Sequence, residues 1–312
     1  MGREAHIAAS LGGYVPYMQT IGLVGAGRMG LPVCERLVRA GFVVVASDRD
    51  PERRAVVEAV GAGWAETARS AADAAEVLIT VLPGSPELQA VMSTLLPAMP
   101  PGRSWIDLTS TSPQIGAKLR ALASHLECLD APMGGGPDAA RAGTLELFVG
   151  GDLETVERHR EVLEALGTLH YLGGPGAGHV VKLLVNLLWF GQALATAEAL
   201  LIARRAELDL DAVRHALASS AADSRFIRRD LAAMLDGDYM TDFGLDRCCE
   251  ELNAIAELAH GLEVPFELSA LVSDIYARAL ERYGPRKGEL LAVAMLEETA
   301  GVTLGRRTAR PA

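Results

Sequence analysis

The sequence holds little that would serve disulfide, metal or nucleic-acid chemistry. Only four cysteines occur in 312 residues, Cys34, Cys128, Cys248 and Cys249, and no two of them have C-x-x-C spacing. That excludes a disulfide framework and predicts four reduced thiols used as packing groups, with a cytoplasmic location. His159, His170, His179, His215 and His260 stand apart from one another and from the cysteines, so no metal is expected. Basic residues are few against acidic ones, 29 Lys and Arg to 40 Asp and Glu, for a net charge of -11. Binding a phosphate backbone needs a concentrated basic surface, so no nucleic-acid partner is expected, although a small anion needs only a local pocket. No apolar run reaches about 18 uninterrupted residues. The longest candidate, Val180 to Leu201, is broken by Lys182, Asn186, Gln192 and Glu198 and reads as a buried helix, so no membrane partner is expected. Residues 1–19 lack a basic segment followed by a long apolar one and read as an N-terminal extension rather than a signal peptide.

Half of the residues are hydrophobic and 22% are charged, enough for two ordered cores. Short apolar runs alternate with amphipathic ones over the first half of the chain. Strands are expected at Thr20–Val24, Val43–Ser47, Val77–Val81, Trp105–Leu108, Leu126–Ala131 and Leu145–Val149. Helices are expected between them, for example at Leu31–Ala40, Pro51–Ala59 and Pro86–Leu95. Continuous apolar strands separated by helices imply a parallel sheet covered on both faces. Strand signals stop after Gly173-Gly174-Pro175-Gly176, and a long helical run from about 177 to 204 is followed by Asp211–Leu217, Ser224–Leu235, Leu245–His260 and Pro265–Tyr283. The fold class is therefore α/β, a Rossmann-type dinucleotide-binding domain followed by an all-helical domain, joined through a long interdomain helix. The expected boundaries are 1–19 for the extension, 20–177 for the NAD-binding domain, 178–305 for the helical substrate and dimerisation domain, and 306–312 for a tail.

The strongest motif is Gly25-Ala26-Gly27-Arg28-Met29-Gly30, between the first strand and the first helix. In that setting the glycines allow a tight turn, close approach of a pyrophosphate and close helix–sheet packing. The helix N-terminus supplies amides and a dipole end suited to the anion. Asp48 ends the second strand 23 residues after Gly25, where a carboxylate accepts the adenosine ribose hydroxyls and repels a 2′-phosphate. Arg49 could bind such a phosphate or stack on adenine, but Asp50 adds a second negative charge. NAD is favoured over NADP. Leu82, just past the strand at Val77–Val81, completes the candidate cofactor contacts together with Ser110.

Three further segments carry candidate chemistry. Asp107-Leu108-Thr109-Ser110-Thr111-Ser112-Pro113 ends a strand, and its hydroxyls suit either a ligand or the cap of the following helix. Asp130-Ala131-Pro132-Met133-Gly134-Gly135-Gly136-Pro137 presents three successive glycines, either a plain turn or a nest of amides that holds a carboxylate. In Gly176 to Asn186, Lys182 and Asn186 are i and i+4 on one face of an apolar helix. A lysine buried there needs an anion or a reacting group nearby, unless it snorkels to water.

Taken together, Gly22-Leu23-Val24-Gly25-Ala26-Gly27-Arg28-Met29-Gly30, the glycine segment with Gly143-Thr144-Leu145, and Gly176 to Asn186 resemble the β-hydroxyacid dehydrogenase family. That family includes 3-hydroxyisobutyrate dehydrogenase and the tartronate semialdehyde and glyoxylate/succinic semialdehyde reductases, and it is related more distantly to 6-phosphogluconate dehydrogenase. The resemblance runs from about 20 to 300 and is specific for the family, not for the substrate. It implies that Lys182 is the catalytic lysine, that Asn186 orients the lysine or the substrate, and that Ser110 lies beside the cofactor. It also implies that Gly134, Gly135 and Gly136 hold a substrate carboxylate, and that helical domains pack into a homodimer or homotetramer. The small-residue stretch 191–199 and Leu268–Leu271 are candidate contact surfaces.

The chain departs from the family pattern at two notable places. Gly134 stands where serine is usual, removing one hydroxyl donor. In Phe243-Gly244-Leu245-Asp246-Arg247-Cys248-Cys249-Glu250-Glu251-Leu252, Glu250 takes the place of a lysine near nicotinamide and substrate. Thr109-Ser110 inverts the family's Ser-Thr pair, a milder change. If Glu250 faces the substrate, the reversed charge selects a neutral or cationic tail, or a larger and less acidic molecule. The opposing expectation is that Glu250 pairs with Arg247 and faces away. The functional reading is an NAD(H)-dependent oxidoreductase interconverting a 3-hydroxyacid-like alcohol and its aldehyde or ketone, with Lys182 as general acid and base. An imine reductase shares the architecture but typically lacks this lysine, and a dinucleotide-binding sensor would need neither Lys182 nor Asn186.

Overall fold

The computed structural model describes residues 19–241 and 243–305. The extension expected at 1–19 lies outside the described residues apart from Gln19, and the expected tail lies outside them entirely. Among the described residues nine strands form two sheets: β1 (Thr20–Val24), β2 (Val43–Ser47), β3 (Gly63–Trp64), β4 (Val77–Thr80), β5 (Ser104–Asp107), β6 (Glu127–Asp130), β7 (Met133–Gly134), β8 (Leu145–Val149) and β9 (Gly167–Tyr171). The larger sheet is parallel throughout, in the order β3-β2-β1-β4-β5-β6. The order reverses between β1 and β4, and ligands of open α/β sheets bind in the crevice beyond the strand ends at such a point.

Both faces of this sheet are covered, which is why its strands read as continuous apolar runs. Ile21, Leu23 and Ile79 pack to one side with Val33 and Leu37 of the helix Gly30–Arg39. Val24, Leu78 and Trp105 pack to the other with Leu88 and Met92 of the helix Ser85–Leu95. Gly22 belongs to this packing, since a Cβ there would stand 2.5 Å from the carbonyl oxygen of Ala71.

One strand belongs elsewhere than expected. Leu145–Val149 is not part of the parallel sheet but the centre of a second one, antiparallel to β7 and parallel to β9. Its burial alternates, with Glu146 and Phe148 less buried than Leu145, Leu147 and Val149, so it is a half-buried strand. The chain returns from β7 to β8 through the short helix Gly136–Ala142, which ends on left-handed Gly143. A bridge between Asp130 and Gly150 joins the sheets.

Every described element after β9 is helical. The helix Ala177–Arg205 is long and apolar enough to cross a membrane by length and composition. Here it runs through the helical domain, where Phe190, Ala193, Leu194, Ala197 and Leu200 pack with Leu245, Cys248, Leu252 and Tyr276. Trp189 meets Phe226 edge-on, with ring centroids 5.5 Å apart. The single helix expected over Ser224–Leu235 is instead a π-helical turn, Phe226–Asp230, followed by a short α-helix, Leu231–Leu235. Asp230 at that junction accepts Trp189 Nε1–H (2.9 Å), a tertiary bond that local propensity does not report. The helices Leu245–Gly261, Glu267–Tyr283 and Leu291–Ala300 complete the domain.

Candidate active site

The glycine loop lies at the reversal point of the large sheet, directly after β1. Gly25 has φ +97°, and a Cβ there would lie 2.2 Å from the carbonyl oxygen of Val81. A Cβ on Gly30 would lie 1.8 Å from the carbonyl oxygen of Gly25. Both positions are filled by this chain's own backbone. Gly27 differs, because a Cβ there would meet nothing within 4 Å, so its glycine leaves space that the fold does not use. Open space at the middle glycine, in front of a helix N-terminus, fits a dinucleotide pyrophosphate. Arg28 is exposed, Met29 is partly buried and Ala26 is buried. Asp48 follows β2 and accepts the Ala26 N–H (2.7 Å) on one oxygen and the Asp50 N–H (3.0 Å) on the other. Arg49 is exposed beside it. Arg53, which the sequence did not single out, braces the loop by donating to the Ala26 carbonyl (2.8 Å). Leu82 lies beside Gly25, with its Cδ2 3.1 Å from where a Gly25 Cβ would be, and its N–H bonds to Thr109 Oγ1 (3.1 Å). Ser110 follows Thr109 and is partly buried.

Asp130, at the end of β6, fixes the start of the long helix. Its carboxylate accepts the N–H groups of Gly176 (2.6 Å) and His179 (3.1 Å), placing an anion on the helix N-terminus. Gly178 permits the contact, since a Cβ there would stand 2.1 Å from the Phe148 carbonyl oxygen on β8. One turn further, Lys182 Nζ donates to Asn186 Oδ1 (3.1 Å). Asn186 Nδ2 in turn donates to Glu251 Oε2 (2.6 Å) on the helix Leu245–Gly261. The three side chains thus form one hydrogen-bonded line between two helices. Burial lowers the Lys182 pKa from the ordinary lysine value, against the opposing pull of the Glu251 and Glu289 carboxylates. Burial raises the Glu251 pKa, opposed by Lys182 and by the bond from Asn186. The two shifts move the groups toward each other, as burial disfavours both charged forms. Glu251 was legible only as part of a motif, and its partner Asn186 lies 65 residues away.

A cleft of about 340 Å3 opens between the two halves of the molecule, with Ser110, Lys118, Leu183, Arg247, Glu250 and Glu251 among its lining. Glu250 pairs with Arg247 without leaving the cleft. It accepts from Arg247 Nη1 (2.8 Å) and it lines the cleft. Arg247 also reaches across to Glu87, in the first turn of the helix Ser85–Leu95, at 2.6 and 3.2 Å. The Arg247 guanidinium therefore stands one helical turn from Glu250, held by carboxylates from both halves.

Gly134, Gly135 and Gly136 are not among the residues lining this cleft. Gly134 lies in β7, where a Cβ would meet Phe148 at 3.6 Å and Glu146 at 3.8 Å, ordinary contacts that leave room for a side chain. Gly135 and Gly136 both have positive φ, +123° and +82°, a conformation that favours glycine.

Residues 20–174 match the family described as the NAD binding domain of 6-phosphogluconate dehydrogenase. Residues 176–296 match the family described as NAD-binding of NADP-dependent 3-hydroxyisobutyrate dehydrogenase. The chain is 28% identical to 2-(hydroxymethyl)glutarate dehydrogenase of Eubacterium barkeri over 91% of this chain and 97% of that one. It is 30% identical to the probable mitochondrial 3-hydroxyisobutyrate dehydrogenase-like 3 of Arabidopsis thaliana, over 74% and 77% respectively. It is also similar to the structure of 3-hydroxyisobutyrate dehydrogenase from Mycobacterium tuberculosis with L-serine, with a TM-score of 0.81 and 26% identity, over 89% of this chain and 99% of that one. The glycine crevice, the lysine-bearing helix and these matches along nearly the whole chain lead to one conclusion: the protein belongs to the 3-hydroxyisobutyrate dehydrogenase-like family of 6-phosphogluconate dehydrogenase-type oxidoreductases, NAD(P)-dependent enzymes that act on CH–OH groups.

Proposed function

We propose that this enzyme interconverts a 3-hydroxyacid-like alcohol and its aldehyde or ketone, with Lys182 as general acid and base. The observation that carries the proposal is the Lys182–Asn186–Glu251 line, a partly buried lysine amine held by an amide that is itself held by a carboxylate. A nicotinamide dinucleotide held at the Gly25–Gly30 loop would supply the hydride chemistry. In the oxidation direction neutral Lys182 removes the alcohol proton; in the reduction direction its charged form stabilises the forming alkoxide and then protonates it. Asn186 keeps the lysine nitrogen aimed along one direction, because its Oδ1 accepts from Nζ while its Nδ2 is held by Glu251. Gly135 and Gly136 supply amides for a substrate carboxylate.

Asp48 supports NAD over NADP, because a 2′-phosphate would meet its carboxylate at close range. Glu250 and Glu87 together carry one negative charge more than the Arg247 they bind, which supports a substrate whose tail is neutral or cationic. We assign residues 20–177 to cofactor binding and 178–305 to the helical domain. We also infer a homodimer or homotetramer through the latter, where Leu268 and Leu271 are 78% and 56% exposed.

The test is NADH and NADPH oxidation against aldehydes, 2- and 3-oxo acids and cyclic imines, beside Lys182→Ala. Turnover of an oxo acid or semialdehyde with NADH, lowered by about 100-fold or more in the variant, is the expected result. Turnover of cyclic imines alone, or tight NADH binding with no turnover, would refute it.

A further inference from the structure

The lysine helix carries a buried histidine that the mechanism above does not use. His179 stands in the first turn of the helix Ala177–Arg205, three residues before Lys182, and is 1% exposed. Its Nε2 donates to Asp107 Oδ2 (3.1 Å). Its Nδ1 is buried and has no hydrogen-bond partner. The ring reaches this place only because residue 116 is glycine: a Cβ there would stand 2.8 Å from Nδ1.

Asp107 ends β5 and is equally buried. Its other oxygen accepts the Thr80 hydroxyl (2.7 Å), at the end of β4, and the Thr109 N–H (3.0 Å). Thr109 then accepts the Leu82 N–H on Oγ1 (3.1 Å). One carboxylate therefore joins three things: the first turn of the lysine helix, the loop after β4 that carries Leu82, and the loop after β5 that carries Ser110. Hydrogen bonds to charged groups in a dry interior are strong and directional. A lysine displaced by about 1 Å costs about 100-fold in rate.

We propose that His179 is a positioning residue which, through Asp107, holds the Lys182 helix in register with the two loops that face the cofactor. The proposal rests on the reading of Lys182, Leu82 and Ser110 given above. It assigns the pair a coupling role, so that ordering the loops around a dinucleotide also sets the lysine. A histidine that merely filled space would contribute to stability and to nothing else.

The experiment uses the full chain with His179→Leu, His179→Asn, His179→Gln and Thr109→Val. Glutamine places its amide nitrogen about where Nε2 stands and keeps the bond to Asp107, whereas asparagine is too short for it. NADH is titrated by its own fluorescence, kcat and KM are measured, and thermal unfolding is followed without cofactor. Leucine and asparagine are expected to weaken NADH binding and lower kcat by about tenfold each, with glutamine within about threefold of the wild type. The effects of His179→Leu and Thr109→Val on NADH affinity are expected to be non-additive in the double variant. If leucine or asparagine lowers the melting temperature but leaves NADH affinity and kcat within twofold, or if glutamine is no better than asparagine, the proposal is overturned. Should His179→Leu not fold, the asparagine and glutamine pair and Thr109→Val decide the matter alone. Lack of carbonyl turnover in the wild type would refute the proposed function and leave the NADH-binding comparison standing.

Discussion

Replacing Glu251 by glutamine should move the pH dependence of this enzyme in a calculable direction. Glutamine keeps an oxygen to accept the Asn186 amide hydrogen and removes only the charge. The Lys182 Nζ to Asn186 Oδ1 distance is 3.1 Å and Asn186 Nδ2 to Glu251 Oε2 is 2.6 Å. With the span of one amide between them, the ammonium and carboxylate are at most about 8 Å apart. At an effective dielectric of about 20, unit charges at about 7 Å interact by about 2 kcal/mol, or about 1.5 pH units. Burial already outweighs the upward pull of Glu251 and Glu289 on the lysine pKa, so removing the first lets burial lower it further. The lysine pKa should therefore fall. In alcohol oxidation the neutral amine is the active form, so the limb where kcat/KM rises with pH should shift down by about 1 to 2 units in Glu251→Gln. In carbonyl reduction the charged form is active, so the variant should lose activity at a correspondingly lower pH. The assay is kcat/KM in both directions above the range in which Glu251 itself titrates, beside Glu251→Asp, which retains the charge. A limb that stays in place, or moves up, in the glutamine variant would refute the electrostatic coupling of this pair.

Two further perturbations separate ligand binding from folding. Gly27→Ala should leave the melting temperature near that of the wild type yet weaken NADH binding by about tenfold or more, because its Cβ enters space the fold leaves open. Gly30→Ala should instead destabilise the apo protein by about 2 kcal/mol or more, since its Cβ would collide with the Gly25 carbonyl; equal melting temperatures for the two variants would contradict this. His159 is buried and its pKa falls to about 4, through burial first and the charge of Arg158 second. The unfolded chain then binds the extra proton more readily, so this contribution to stability is full above about pH 6.5 and is lost as pH falls toward about 4. Denaturant midpoints measured across that interval should decline less steeply in His159→Gln; an unchanged slope would exclude the histidine as the cause.

Local pattern made much of the fold legible. The glycine loop is legible in six consecutive residues, and β1, β2 and the long helix start where their apolar periodicity starts. The same local information placed Lys182 and Asn186 on one face, because i and i+4 spacing is a property of any helix. It failed where burial is one-sided or partners are distant. Leu145–Val149 reads as one more strand of the parallel sheet, yet which sheet it joins depends on β7, a two-residue strand with no signal of its own. Glu250 is the same case in the site: its charge could be read, but its simultaneous contact with Arg247 and the cleft depends on how two halves of the chain meet.

The sequence by itself determined the class of cofactor crevice, the alternation of strand and helix, and the placing of Lys182 and Asn186 on one helix face, since each follows from spacing within one or two elements. Only the tertiary structure decided what those residues touch. Glu251 reaches Asn186 across 65 positions, Asp130 caps a helix 46 positions away, and Asp107 meets His179 across 72. Periodicity along a chain says which face a side chain takes, but contacts of this range form only when packed cores bring strand ends and helix starts to the same place.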